Sequence, residues 1–507
     1  MSIAFNEIPS DNLVPMFMAE FDNTNAAKSG AMPWKNLLIG APLAGKTATG
    51  LRQITGDEQA DALFGAGSEL ALMVRAFRKN TRNSELWALP VPDAEGSAKA
   101  KGKIAFSLAE SAEVSDGESY LSASGVVRLM VGGQKVPASV TAGMTADEIA
   151  TVVALAVNAN DNLPVTAKAN GADVELEAKN AGTCGLGIDI RYNHNQGEEL
   201  PEGLSLEISP MDGAGADRAY TDELVGKIIE GTWYNAIAIG SDDSSNVEYV
   251  KALLDERWKA TVQETGVLFF SPNGSKAESQ KGTVSLEAAC ERAKKLNSQV
   301  VVMPAIPESP TPGFEIAAAV LGCIAPKALN DPAAPLSNYA VAGIVAPRET
   351  ERLGLEGNNA LLKAGAALLV ASNDGTAYLK RTVTTYKYTA NGAKDTSYQQ
   401  LEKVFTLSFI RWDWNNYMAG RYPHAKLADD GTDFGPGQVI MTPKLGEAEL
   451  LGRYEYWISK GLVQDYATFK ANLVVCRDPD DDTALQFLIP ADLIDQFFIG
   501  KSKIQFK

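Results

Sequence analysis

The sequence predicts an α/β fold: a mostly parallel sheet core with an inserted β-rich domain and extended N- and C-terminal arms. Three features lead there. Short apolar runs (LLIG at 37–40, NAIAIG at 235–240, VLFF at 267–270, VVVM at 300–303) alternate with stretches of helical period, the pattern of βαβ crossovers. Between residues 97 and 212 the texture changes to strands separated by glycine turns. Both chain ends are apolar but lack a helical repeat. The expected division is an N-terminal arm at 1–30, an α/β core at 31–96 and 213–377, an inserted β-rich domain at 97–212, a C-terminal α+β domain at 378–494 and a C-terminal arm at 495–507.

Taken in order, residues 1–30 place Ile3, Phe5, Ile8, Val14, Phe17 and Phe21 among polar neighbours, and Pro9 and Pro15 favour an extended path. An end with this much apolar surface needs a partner, in this chain or a neighbouring one. The run Leu37-Leu38-Ile39 reads as a strand covered on both faces. Thr55 and Glu58 have capping-box spacing, which starts a helix there that ends at Gly65. A second helix begins near Ser68 with Leu70, Met73, Val74 and Phe77 on one face, and 85–91 is a strand.

In the insertion, Gly132-Gly133 and Asn170-Gly171 mark two hairpins, and Thr145 with Glu148 caps a helix over 145–158. The α/β pattern then resumes with helices at 222–230, 246–260 and 285–295 between strands at 234–240, 266–271 and 299–305. Residues 314–325 form a buried helix, and 339–346 and 367–373 are further apolar segments. Residues 378–389 alternate as an antiparallel strand, and long helices cover 396–419 and 447–460. The aromatic stripe Tyr398, Phe405, Phe409 and Trp412 reads as core. Three strand-like pieces finish the chain, the last ending at the final residue.

The totals exclude several classes of function. A net charge of -17, from 46 basic and 63 acidic residues with no basic stripe, argues against direct nucleic-acid binding, which needs clustered cations to replace counterions. There is no cationic, apolar leader, and 314–325 is shorter than a bilayer span, so no membrane insertion is expected. Cys184, Cys290, Cys323 and Cys476 are scattered without metal-ligand spacing, which predicts reduced thiols and no metal.

One motif carries chemistry on its face. Residues 40–47, GAPLAGKT, match the P-loop spacing, in which Lys46 would reach phosphates and Thr47 a magnesium ion, and a nucleotide hydrolase is the alternative function. A P-loop needs a helix starting at its Gly-Lys-Thr. Here Gly50 follows and the first helix signal comes only at Thr55. The magnesium-binding Asp at the end of a later strand is also missing, since Ala371, Ser372 and Asn373 separate the nearest apolar run from Asp374. His194 and His424 sit beside turns away from any nucleophile motif, and Asp478, Asp480, Asp481 and Asp482 lack calcium-loop spacing. Neither a cofactor nor a catalytic residue is predicted.

The passage from RYPHAKLADDGTDFGPGQVIMTPKLGEAELLGRYEYW to DLIDQFFIGKSKIQF resembles the tail sheath proteins of contractile-tailed phages, specifically the Mu-like group. IPSDNLVPMFMAEFDNT, WKNLLIG with its glycine-rich turn, and LFGAGSELALMVRAF are similar to that group too. The resemblance lies in the order of segments over most of the chain, and is weakest across 97–212. It implies a non-enzymatic virion protein, made in the bacterial host cytoplasm. Such a protein forms hexameric rings stacked around a tail tube, works with baseplate and tail terminator proteins, and contracts to drive the tube through the host envelope for genome ejection. A phage-derived bacteriocin particle would use the same kind of subunit. It further implies that the arms link neighbouring subunits through Ile3, Phe5, Val14, Phe17 and Phe21 at one end and Phe497, Phe498, Ile504 and Phe506 at the other.

Overall fold

The computed structural model describes residues 32–46, 50–109, 114–115, 118–274, 282–431, 434–435 and 437–506. Trp34–Lys507 form one compact unit, and Met32 and Pro33 belong to a separate N-terminal one.

The six-stranded central sheet of the larger unit runs Val301–Val302, Val267–Phe269, Ala236–Ile239, Asn36–Gly40, Leu86–Pro90, Arg52–Gln53. Its first five strands are parallel and only the Arg52–Gln53 edge is antiparallel. Asn36–Gly40 is buried at every position, which is why its apolar run does not alternate. Leu38 faces a core that includes residues of the helices Glu69–Asn80 and Gly313–Asn330. Leu37 and Ile39 face a second core, with residues of Ser244–Trp258 and Leu286–Lys294. Gly313–Asn330 is long and apolar enough to span a membrane by composition, yet it is mostly buried in the protein. It crosses Glu69–Asn80 so closely that a Cβ on Gly322 would lie 2.5 Å from the Phe77 carbonyl oxygen.

Residues 299–305 do not form one strand. Val301–Val302 ends the central sheet, and Pro304–Ala305 opens a second sheet ordered Pro304–Ala305, Ala367–Ala371, Thr376–Arg381, Tyr339–Val345. The expected strand over 378–389 stops at Arg381. Beyond it the hydroxyls of Thr382, Thr384 and Thr385 donate to the carbonyls of Leu336, Tyr398 and Ser298, so side chains replace ladder bonds.

Residues 101–212 build a two-stranded ribbon, Val114–Ser115 with Glu118–Ser119, and two larger sheets. One is ordered Leu204–Asp212, Lys101–Leu108, Asp173–Ala178, Val165–Asn170, the other Ile190–Tyr192, Gly125–Val131, Gln134–Val140. Together with the helix Ala146–Asn158 they enclose a hydrophobic cluster of their own. The capping box of that helix forms as expected, with Thr145 and Glu148 bonding each other's amides. The box at Thr55 and Glu58 does not. The helix Asp57–Phe64 starts after Gly56, and Thr55 donates instead to the side chain of Gln59, one position further on.

Near the C-terminus, Leu401–Arg421 begins five residues later than expected, because Asp395 accepts the Ser397 amide and holds the preceding residues in a turn. Pro443–Ser459 begins four residues earlier than expected, capped by Thr442 with Pro443 in its first turn. Tyr454, Trp457 and Phe469 fill the core beneath these helices. The tail forms a hairpin, Val474–Arg477 with Leu485–Leu488, and a short strand Asp492–Leu493 against Val463–Gln464. Residues 494–506 have no regular secondary structure. The last strand thus stops well short of the chain end, for want of a pairing edge.

Two buried carboxyls set a pH dependence. Burial pushes Glu315 up to about 7 against a small opposing effect of Lys79, and its Oε1 has no hydrogen-bond partner among the described residues. Burial likewise pushes Glu402 up to about 7, opposed by backbone amides and Arg381. Both values lie above the ordinary 4.5, so the folded state holds these protons more tightly than the unfolded chain. The resulting stability is full below pH 4.5 and is lost as pH rises through 7. The Glu315→Gln variant is expected to be more stable than the parent at pH 8, by up to about 3 kcal/mol, and to match it near pH 4. Thermal denaturation at the two pH values measures the difference.

Candidate assembly surface

In a doubly wound sheet the ligand crevice lies outside the carboxyl ends of the strands where strand order reverses. Here that point lies between Asn36–Gly40 and Ala236–Ile239. It is filled from within. Glu69, in the first turn of its helix, places Oε1 against the Ala41 amide at 3.4 Å and forms a buried ion pair with Arg218. A Cβ at position 240 would fall 1.7 Å from that oxygen, so only glycine fits. Asp93 lies 3.8 Å from Arg218. Asn180 accepts the Glu69 amide at 2.9 Å and donates to the Pro42 carbonyl at 2.9 Å. Asp217 accepts from Thr183 and Ser241.

The P-loop-like turn is consumed the same way. The Leu43 amide donates to Phe64 at 2.8 Å, and Lys46 Nζ donates to the Ala62 carbonyl at 3.3 Å. Gly45 sits at φ +82°, a turn conformation, and the next helix starts at Asp57. Thr47 lies outside the described residues. The Ala41 amide at the strand end points at the Glu69 carboxylate, which would repel a phosphate.

The other sequence candidates take structural positions. His194 is held below the ordinary histidine range by burial and by neighbouring Arg191, whose guanidinium lies 3.5 Å from Nδ1. Among the described residues no group of three or more His, Cys, Asp or Glu side chains could hold a metal. Cys184, Cys290 and Cys323 are buried thiols, while Cys476 is exposed.

The chemically unfinished surface is at the C-terminus. Phe497, Ile504 and Phe506 expose 84%, 87% and 94% of their surface, and Ile499 is exposed beside them. Phe498 differs, being half-buried with the Arg381 guanidinium 4.8 Å from its ring centre. Ile3, Phe5, Val14, Phe17 and Phe21 lie outside the described residues.

The hairpin Val474–Arg477/Leu485–Leu488 pairs with no other strand among the described residues, so both its edges are open. Its inner face is seated. Phe487 packs edge-on to Trp414 at 5.3 Å and would touch a Cβ at Gly446 at 3.1 Å. Its outer face carries the directly opposed pair Val474 and Leu488, both exposed, beside Cys476 and Gln486. The hairpin tip is acidic. The Asp480 amide and the Gln486 side chain hold the Asp478 carboxylate below its ordinary range, and Thr483 does the same for Asp481. Sequence reasoning marked these strands but missed their exposed face. The signal was there in Leu485 to Leu488, where apolar residues occupy both faces of a pair too short to be covered twice.

The chain is 31% identical over 510 residues to the Mu-like prophage FluMu tail sheath protein of Haemophilus influenzae, across the full length of both. No protein-family profile matches it. Among solved structures it is similar to a sheath tail protein from Listeria innocua, at TM-score 0.45 and 12% identity over 91% of this chain and 92% of that one. It is also similar to one from Desulfitobacterium hafniense, at TM-score 0.44 and 12% identity over 95% and 100%. The helical sheath of the anti-feeding prophage in its contracted state gives TM-score 0.44 and 12% identity over 97% and 100%.

The filled crevice sets a contrast between two cations. Removing Arg218 strands a buried carboxylate, and Arg218→Ala is expected to cost roughly 3–5 kcal/mol. Lys46 is exposed, and Lys46→Ala is expected to change stability by less than about 0.5 kcal/mol. Urea unfolding of both variants checks the ordering, and a large loss from Lys46→Ala alone would contradict it.

Proposed function

Because this chain belongs to the tail sheath protein family of Mu-like phages, we propose that it is a non-enzymatic structural subunit that polymerises around a tail tube and contracts to drive it through a host envelope. In this reading the subunits form stacked hexameric rings in the virion, bounded by baseplate and tail terminator proteins, and neighbours are linked by exchanged arms. Residues 34–377 act as a stiff body with its insertion, and the region beyond carries the links.

The observation that carries this reading is the pairing of an unfinished segment with an unfinished sheet. Residues 499–506 expose Ile499, Ile504 and Phe506, the last two at strand spacing, and pair with no strand among the described residues, while the hairpin Val474–Arg477/Leu485–Leu488 offers two open edges and an apolar face. Strand addition satisfies both, giving backbone hydrogen bonds to one and burial to the other. The charges also match, with Lys501 and Lys503 on the segment and Asp478, Asp480, Asp481 and Asp482 at the hairpin tip. The occupant that fits is the C-terminal segment of a second copy.

The energetics suit a link that must survive motion. Burying Ile504 and Phe506 contributes about 1.5–3 kcal/mol each, while ordering the backbone costs about 1–2 kcal/mol per residue. Ordering the eight residues 499–506 costs about 8–16 kcal/mol, more than these two side chains return, so a single arm is weak alone and backbone hydrogen bonds at the edge and many arms acting together hold the lattice.

Deleting residues 499–507 is expected to leave a folded, soluble chain that no longer forms rings or tubes by electron microscopy. In the full-length protein, Cys476 should react with maleimide more slowly once assembled, since an arm added at the edge of Val474–Arg477 places its side chains beside the thiol. Normal tubes from the truncated chain would overturn the arm reading.

A further inference from the structure

The C-terminal segment is attached to its own subunit in two grades. Asp492–Leu493 are fixed by strand pairing, and the Ile494 amide donates to the Leu462 carbonyl at 3.1 Å. Residues 495–498 are held only by side chains. Asp495 pairs with Lys403 at 2.8 Å, Gln496 Nε2 donates to the Ala333 carbonyl at 3.1 Å, and Phe498 lies against Arg381 at 4.8 Å. From Ile499 onward the side chains are exposed and no hydrogen bond or ion pair holds the chain among the described residues.

The side-chain grade is imperfectly satisfied. Arg381 Nε, Glu402 Oε2 and Gln496 Oε1 are buried without a hydrogen-bond partner among the described residues. Arg381, at the end of the strand Thr376–Arg381, has the Glu402 carboxyl acting on it electrostatically and the Phe498 ring against it. Unpaired buried polar atoms raise the free energy of the held state, so this attachment opens more readily than the strand pairing beside it.

We propose that residues 495–498 form a releasable latch, with Arg381 as the positioning residue that sets the exit direction of the arm and keeps a reserve of length. The inference rests on the arm reading above. While latched, residues 499–506 reach at most about 29 Å. Opening the latch adds roughly 13 Å without disturbing the strand at Asp492–Leu493. A subunit that rotates or slides against its neighbour draws on this reserve and stays linked.

A fluorophore on Ser502→Cys in a Cys476→Ser background reports the latch, because the other three cysteines are buried. Arg381→Ala and Phe498→Ala are each expected to lower its anisotropy in the unassembled subunit and to raise the concentration needed for tube formation about tenfold, with the melting temperature unchanged. Arg381→Lys, which keeps the cation but loses the planar contact, should fall between them and the parent. The Phe498 variant guards against a folding defect, since the ring lies outside the hydrophobic cores. Anisotropy and assembly equal to the parent in both alanine variants would overturn the latch. If the 499–507 deletion assembles normally the arm reading itself fails, whereas blocked assembly of the deletion with parent-like latch variants removes the latch alone.

Discussion

The ion pair between Glu69 and Arg218 is the constraint on which the larger unit depends. It joins residues 149 positions apart at the point where the parallel sheet reverses its strand order. Glu69 is in the first turn of a helix, where the dipole favours a carboxylate, and Ser68 caps that helix through the Ala71 amide. Two glycines, Gly40 and Gly240, leave room for the side chain. Arg218 arrives on the segment that returns from residues 101–212, and Asn180 and Asp93 complete the cluster. One polar knot therefore closes the crevice, orients the helix and ties the insertion to the core. Arg348 adds a second tie, donating to the Tyr192 carbonyl at 2.9 Å.

The same economy governs strand edges. At one end of the central sheet, the Gln53 carbonyl accepts from Gln59 at 3.1 Å. At the other, the Val301 carbonyl accepts the Thr385 amide at 2.9 Å. The outer strand of the second sheet is blocked by Asn80, whose amide exchanges two hydrogen bonds with Ala342. Closed edges keep a protein from pairing indiscriminately. The hairpin at 474–488 pairs with no further strand among the described residues, so both its edges stay available.

Much of this was legible in the sequence where local chemistry and global packing agree. The buried strands announced themselves as LLIG, NAIAIG and VLFF, and Ser68, Thr145 and Ser285 marked helix starts because each hydroxyl has an amide three residues on. Failures came where a tertiary partner chose between local options. Thr55 faced both Glu58 and Gln59, and 299–305 was split because one sheet ends beside the next. The Glu69–Arg218 pair has no local signature, since its members meet only once the insertion has returned. The exposed arm residues Ile504 and Phe506 were legible as apolar, but nothing in the sequence separates them from Phe498, whose contact with Arg381 comes from a strand more than a hundred residues earlier.

In the proposed assembly a chain of net charge -17 packs against copies of itself, and the distribution of charge bears on that. Residues 97–212 hold 16 acidic and 8 basic residues, so repulsion is concentrated on the insertion. On its outer sheet face Lys101 and Lys103 pair across strands with Glu177 and Asp173, which leaves that face solvated and without an apolar patch. The C-terminal segment is the reverse, basic and apolar together. Long-range repulsion between bodies is screened beyond about 8–10 Å at physiological salt, whereas backbone bonds at a strand edge act only on contact. Under the arm reading, repulsion keeps free subunits apart in solution, and the link forms only where a basic, apolar strand meets an acidic, open hairpin. Selectivity then comes from the hairpin edge and its charge, while the stiffness of the body comes from Glu69 and Arg218, and each can change without undoing the other.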